Sequence, residues 1–170
     1  MIDNLERYAD KIRIILKSNQ SEAEQQLALC GCVEEILSDK SFIKQYLPDR
    51  AEGAHPREVL FEDADNGFCI CGHVYSGEAI SEPHDHGPSW AIYGQAEGST
   101  TMTDWDIVKP GDGTNPILVE PRTTYVMKPG DAHFYAIGDI HSPHRDQPVK
   151  LIRIEGENLD RIERSNIAKA

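Results

Sequence analysis

From residue 56 onward the chain is cut into short runs rich in β-branched and aromatic residues, with Gly, Pro and Asp between them. No other feature limits the fold so tightly. The runs fall at 58–62, 67–75, 89–95, 100–108, 123–127, 133–137 and 149–155, and turn dipeptides stand at Asp112-Gly113 and Pro129-Gly130. Strands this short and this often punctuated suit a sandwich or barrel, because a parallel α/β sheet needs a helix between successive strands. The first 50 residues read as helical. Ile2, Leu5, Ile12, Ile15 and Leu16 recur at helix spacing opposite Glu6, Asp10, Arg13 and Lys17. Ser21 with Glu24 forms a capping box for a second helix through Leu29, Val33, Ile36 and Leu37, and a third, short segment stops before Pro48. The expected organisation is mainly β: a helical cap over 1–50, a barrel over 51–157, and a polar tail over 158–170 with at most a last helical turn.

A chain of 170 residues suits one domain. Its 17 Lys+Arg against 29 Asp+Glu leave a net charge of -12, which repels phosphate backbones and anionic lipid, so no nucleic-acid or membrane partner is expected. The first residues carry no basic and apolar leader pattern, and a cytoplasmic location is expected. The four cysteines form two C-x-C pairs, Cys30/Cys32 and Cys69/Cys71. Neither pair has zinc-site spacing, so all four are expected to be buried, reduced thiols, with Cys69 and Cys71 on one face of a strand.

Six of the seven histidines lie between residues 73 and 144. His84 and His86, one residue apart, would point to one face of a strand and so could ligate one metal ion. A third histidine, His141, follows in a second strand-like segment, Ala136-Ile137-Gly138-Asp139-Ile140-His141. Together the two segments resemble the cupin superfamily. Its first motif, G-x5-H-x-H-x3–4-E-x6-G, is matched by Gly77, His84, His86 and Gly98, with one extra residue before His84 and Ala91 in the Glu place. Its second, G-x5-P-x-G-x2-H-x3-N, is matched by Gly130, Gly138 and His141, with Ala136 in the Pro place and Arg145 in the Asn place. The resemblance implies a double-stranded β-helix, a jelly-roll barrel, with His84, His86 and His141 as metal ligands in its mouth.

Ala91 is the telling departure. It cannot supply a fourth ligand, so three neutral imidazoles leave open positions for substrate, water or dioxygen. Within the cupins this arrangement resembles the thiol dioxygenases of the cysteine and mercaptopropionate type. It implies Fe(II), a small anionic or thiol-type substrate and dioxygen, with Zn, Ni or Mn as alternatives for redox-neutral hydrolysis, elimination or isomerisation. A non-catalytic, ligand-binding cupin is a further alternative. Arg57 falls about where the cysteine enzymes hold a substrate carboxylate. The last core strand, however, has no Tyr or His where those enzymes place them. Tyr93 and Gln95 continue the alternation of Ala91 and are candidate substrate-binding residues. Tyr93 and His133 are candidate catalytic groups. His144 is a weaker competitor for the third ligand place, Trp90 and Tyr135 read as core or rim, and a homodimer is a family expectation.

Overall fold

The structure is a computed structural model and describes residues 4–51 and 53–170. Ile2 lies outside the described residues. Helix α1 (Asn4–Leu16) buries Leu5, Tyr8, Ala9 and Ile12, the face its spacing predicts. Helix α2 (Glu22–Ser38) starts at the Ser21 capping box: the Glu24 N–H donates to Ser21 Oγ at 3.4 Å, and the Ser21 N–H donates to Glu24 Oε2 at 2.8 Å. Asp39 ends α2 and caps α3 (Lys40–Tyr46), accepting from the N–H groups of Ser41 and Phe42. No helix among the described residues is long and apolar enough to cross a membrane.

Ten strands follow: β1 (Arg57–Glu62), β2 (Cys69–Tyr75), β3 (Ala79–Ile80), β4 (Ala91–Glu97), β5 (Thr100–Lys109), β6 (Ile117–Met127), β7 (Ala132–Tyr135), β8 (Ile140–Arg145), β9 (Val149–Glu155) and β10 (Ile167–Lys169). They form two five-stranded sheets, ordered β1-β2-β9-β4-β7 and β10-β6-β5-β8-β3. The architecture is the double-stranded β-helix of the cupins, with helices at its N-terminal end.

The first sheet is buried on both faces, and this decides where chemistry can sit. Ile70, Ile92, Ile152 and Ile154 point outward and join Ile12, Val33, Ile36 and Phe42 of the helices in one apolar core. Their neighbours in sequence point the other way, into the barrel. In-register pairs share a face, so Cys71, Arg153, Tyr93 and His133 form one interior row across β2, β9, β4 and β7. Cys69, Glu155, Ala91 and Tyr135 form the next, and His73, Leu151 and Gln95 another. Arg13 of α1 reaches the barrel and pairs with the buried Asp63 at 2.5 Å. The cysteines are all free, Cys69 and Cys71 share the interior face, and burial pushes the thiols of Cys30, Cys32 and Cys69 up to about 11.

Several elements depart from the sequence reading, among them the short strand β3, which falls in none of the expected runs. Strand β6 begins at Ile117 rather than 123, because its first half pairs with β10 and β5 although its half-buried and buried residues 117–119 run straight into exposed Glu120, Pro121 and Arg122 without alternation. The run at 133–137 stops at Tyr135, and β8 is a strand in spite of Pro143. That proline has no N–H to contribute, but its carbonyl accepts from Ser81 N–H at 3.0 Å. The segment 158–170 is no loose tail: Leu159–Arg161 form a 3-10 turn, and β10 adds to the second sheet parallel to β6.

Candidate metal centre

His84 and His86 do not lie on a regular strand, as the H-x-H spacing suggested, but on the extended loop between β3 and β4. Two backbone bonds, His84 N–H to His141 O and His141 N–H to His84 O, both 3.0 Å, pin that loop to β8. Between the two histidines, Asp85 anchors the loop to the C-terminal segment. It accepts from Ser165 Oγ at 2.5 Å, Ser165 N–H at 3.1 Å and Gly87 N–H at 3.1 Å. His141 enters from β8 after a turn whose Gly138 has φ 89°, a left-handed conformation that suits glycine.

The three imidazoles converge: one ring nitrogen from each of His84, His86 and His141 lies within 4.8 Å of the other two. Ring centroids are 4.8 Å apart for His84–His141 and His86–His141, and 5.8 Å for His84–His86. Burial pulls His84 down to about 4 and His86 to about 2, and lowers His141 well below the ordinary imidazole value. All three are therefore neutral at pH 7, the state in which imidazole ligates. His84 Nδ1–H donates to Glu82 O at 2.8 Å, which turns its Nε2 lone pair toward the cluster.

Tyr93 completes the arrangement. Its hydroxyl lies 3.2 Å from His86 Nε2 and 3.1 Å from His141 Nε2, while the buried Nδ1 atoms of both rings have no hydrogen-bond partner. One hydroxyl proton cannot serve two lone pairs, so one imidazole must act as donor here. Two imidazole lone pairs turned together toward one point, with a third from His84, are also a donor set that fits a divalent transition metal ion.

Tyr135 stacks on His141 at 3.9 Å between centroids; it donates to Tyr125 at 2.6 Å, which donates to Asp104 at 3.3 Å. Its spacing alone had suggested only core or rim. His133 does not touch the three histidines. Its ring packs on Tyr135 and Tyr125, and it lines a cleft of about 290 Å³ with Asp104, Arg122 and Tyr135.

Ala91 is buried beside Tyr135 and Glu155. Gln95 is fully buried; its Nε2 donates to Glu97 O at 2.9 Å and its Oε1 has no partner. His144 is half-exposed, faces away from His141 and sits 3.8 Å from Glu78, so it does not join the cluster. Arg57 departs from its expected role: its guanidinium is already filled by Glu155, through Nη2–Oε2 at 2.7 Å and Nε–Oε1 at 3.3 Å, with Asn158 and Asp160 alongside. No fork remains there for a substrate carboxylate. Of the two interior arginines, Arg145 entered the sequence reading only as the residue in the Asn place of the second motif, and Arg153 only as part of the run 149–155, because a charged residue within a short run reads as an exposed one.

No protein-family model matches the chain, and no curated protein matches it. Solved structures do. A conserved protein with a double-stranded β-helix domain from Klebsiella pneumoniae is 13% identical, covering 74% of this chain and 88% of its own, with a TM-score of 0.50. A cupin superfamily protein from Desulfitobacterium hafniense is 12% identical over 66% of this chain and 85% of its own, with a TM-score of 0.49. KdgF from Halomonas sp. is 15% identical over 67% of this chain and 93% of its own, with a TM-score of 0.46. At these identities the likeness concerns the fold alone, a double-stranded β-helix.

Proposed function

We propose that this chain is a mononuclear metal-dependent cupin enzyme, a non-haem Fe(II) dioxygenase in which His84, His86 and His141 are the ligands. The observation that carries the reading is the convergence of three neutral imidazoles around one point, His86 and His141 buried and His84 half-buried, with the Tyr93 hydroxyl at the same point. Iron bound there would supply the one-electron chemistry that dioxygen requires. The chain's own groups do the rest. Ala91 adds no carboxylate ligand, so the positions beside the imidazoles and the Tyr93 hydroxyl are left to substrate and dioxygen. Tyr93 presents a hydroxyl to whatever occupies that room and orients it by hydrogen bonding. Tyr135 holds the His141 ring in place by stacking.

Metal content per chain, measured on untagged protein with His84→Ala alongside, tests the assignment. Near-stoichiometric iron in the parent protein, its loss in the variant with the fold retained, and oxygen uptake with small thiols or β-dicarbonyls are the expected results. Zinc, nickel or manganese at that level, with no oxygen uptake after Fe(II) reconstitution, would move the reaction to redox-neutral Lewis-acid chemistry. Full metal content in His84→Ala would sink the ligand set.

A further inference from the structure

The interior of the barrel beyond Tyr93 carries more positive charge than the protein neutralises. Arg153 is 6% exposed and Arg145 1%. The Arg153 guanidinium lies 4.1 Å over the Tyr93 ring, and that of Arg145 lies 4.3 Å over the Tyr75 ring. Tyrosine rings thus cover the flat faces of both guanidiniums and leave their N–H edges to bond. Those edges are under-used: Arg145 Nε and Nη2 and Arg153 Nε have no hydrogen-bond partner. Arg153 has Glu155 at 3.5 Å, but Glu155 already takes the fork of Arg57. No carboxylate among the described residues lies within 4.0 Å of Arg145.

Other buried polar atoms lack partners as well: both ring nitrogens of His73, Gln95 Oε1 and Thr100 Oγ1. His73 and Gln95 share the interior row next to Arg153. Thr101 pairs with His144, so Thr100 and Arg145 are the next residues along their strands. A buried, unpaired guanidinium is costly, and it becomes favourable once an anion with in-plane oxygens fills its fork. Burial lowers the pKa of Arg145, the direction expected of a cation without a counter-ion.

We infer that Arg145, with Arg153, forms a buried anion site inside the barrel that takes the carboxylate of a small organic acid. Only one Tyr93 ring separates Arg153 from the imidazoles, which makes this site the holder of the substrate's acid group. That last assignment rests on the metal-enzyme reading; the anion site itself does not. Arg57, the candidate from the sequence, is replaced in this role by a residue whose donors are free.

The test uses full-length, EDTA-treated protein titrated with sodium acetate, sodium chloride and sodium phosphate at one ionic strength, following the thermal unfolding midpoint. The expected result is a saturating rise with acetate alone. Arg145→Met should abolish the rise while unfolding no earlier than the parent protein without acetate, because an unpaired buried charge has been removed. Arg145→Lys, which keeps the charge but not the fork, should weaken acetate at least tenfold and covers the case in which Arg145→Met fails to fold. His84→Ala should respond to acetate as the parent does, and this separates the anion site from the metal ligands. No acetate response, or an equal response in the parent and the Arg145 variants, overturns the site. A response lost in His84→Ala but kept in the Arg145 variants would place acetate at the imidazoles and also overturn it. Equal responses to phosphate or chloride that depend on Arg145 would overturn the carboxylate assignment and leave an inorganic anion.

Discussion

The two faces of the sheet β1-β2-β9-β4-β7 are built from alternate residues of the same strands, yet they are opposite in character. Toward the helices, Ile70, Ile92, Ile152 and Ile154 are fully buried among apolar side chains. Each such side chain stabilises the fold by about 1.5–3 kcal/mol. Toward the barrel interior, the same strands present Cys71, His73, Tyr93, Gln95, Arg153 and Glu155. Burying those groups costs stability wherever a partner is missing. One face holds the cap on the barrel, and the other gathers the buried polar and charged groups. Burial alone does not tell them apart; the partners do.

Arginine on the inner face gives the sharpest way to break this comparison. Arg57 satisfies the buried Glu155, whereas Arg145 has no such duty. Arg57→Ala should therefore destabilise by about 3 kcal/mol, because it leaves a buried carboxylate short of its main partner. Urea unfolding of this variant beside Arg145→Met measures the contrast, and equal losses in the two would erase the distinction between a structural and a binding arginine.

The outer face is tested where it packs most closely. A Cβ on Gly94 would lie 2.4 Å from Val33 Cγ1, 3.3 Å from Leu37 Cδ1 and 3.3 Å from Ile152 O. Gly94→Ala should force α2 away from the sheet at a cost of about 1–3 kcal/mol, with the histidines on the other side unmoved. Thermal unfolding and metal content together read this: a lower midpoint with unchanged metal is expected. Loss of metal with no change in midpoint would show that the two faces are coupled.

The smallest effect concerns the clasp between α1 and the barrel. Burial pushes Asp63 up, but the Arg13 guanidinium and the N–H groups of Asn66 outweigh it and hold the carboxyl at about 2. A carboxyl depressed in the folded state stabilises above its unfolded value near 3.8, and that contribution is lost as pH falls toward about 2. Asp63→Asn should be less stable than the parent protein at pH 6, and the two midpoints should converge between about pH 4 and 2. A constant gap across that window would mean that Asp63 acts through packing rather than charge.

Much of the cap and the metal cluster was legible beforehand. The capping box at Ser21 and Glu24, the apolar stripe of α1 and the end of α3 before Pro48 are local features, decided by residues within a turn or two of one another. His84, His86 and His141 stood out because their spacings matched two family motifs in the right order. The strand beneath His84 and His86 was misread because backbone pairing with β8 and the Asp85–Ser165 bonds, not local propensity, extend that loop. Strand β8 was read only as far as His141, short of Pro143, and β10 was missed in a polar stretch that is a strand only because β6 lies beside it.

The sequence by itself determined that short strands follow a helical segment, that three histidines share a cupin spacing, and that Ala91 stands where the motif has Glu. Alternation along a strand also showed that Tyr93 and Gln95 share a face with Ala91. It could not show which neighbours meet that face, because cross-strand pairing joins residues dozens of positions apart. Only the tertiary structure decided that Tyr93 bridges His86 and His141, that Tyr135 stacks on His141, and that Arg57 is neutralised while Arg145 is not. A charge is written in the sequence at every arginine, but whether it is buried, and whether a carboxylate answers it, depends on strands brought together in space.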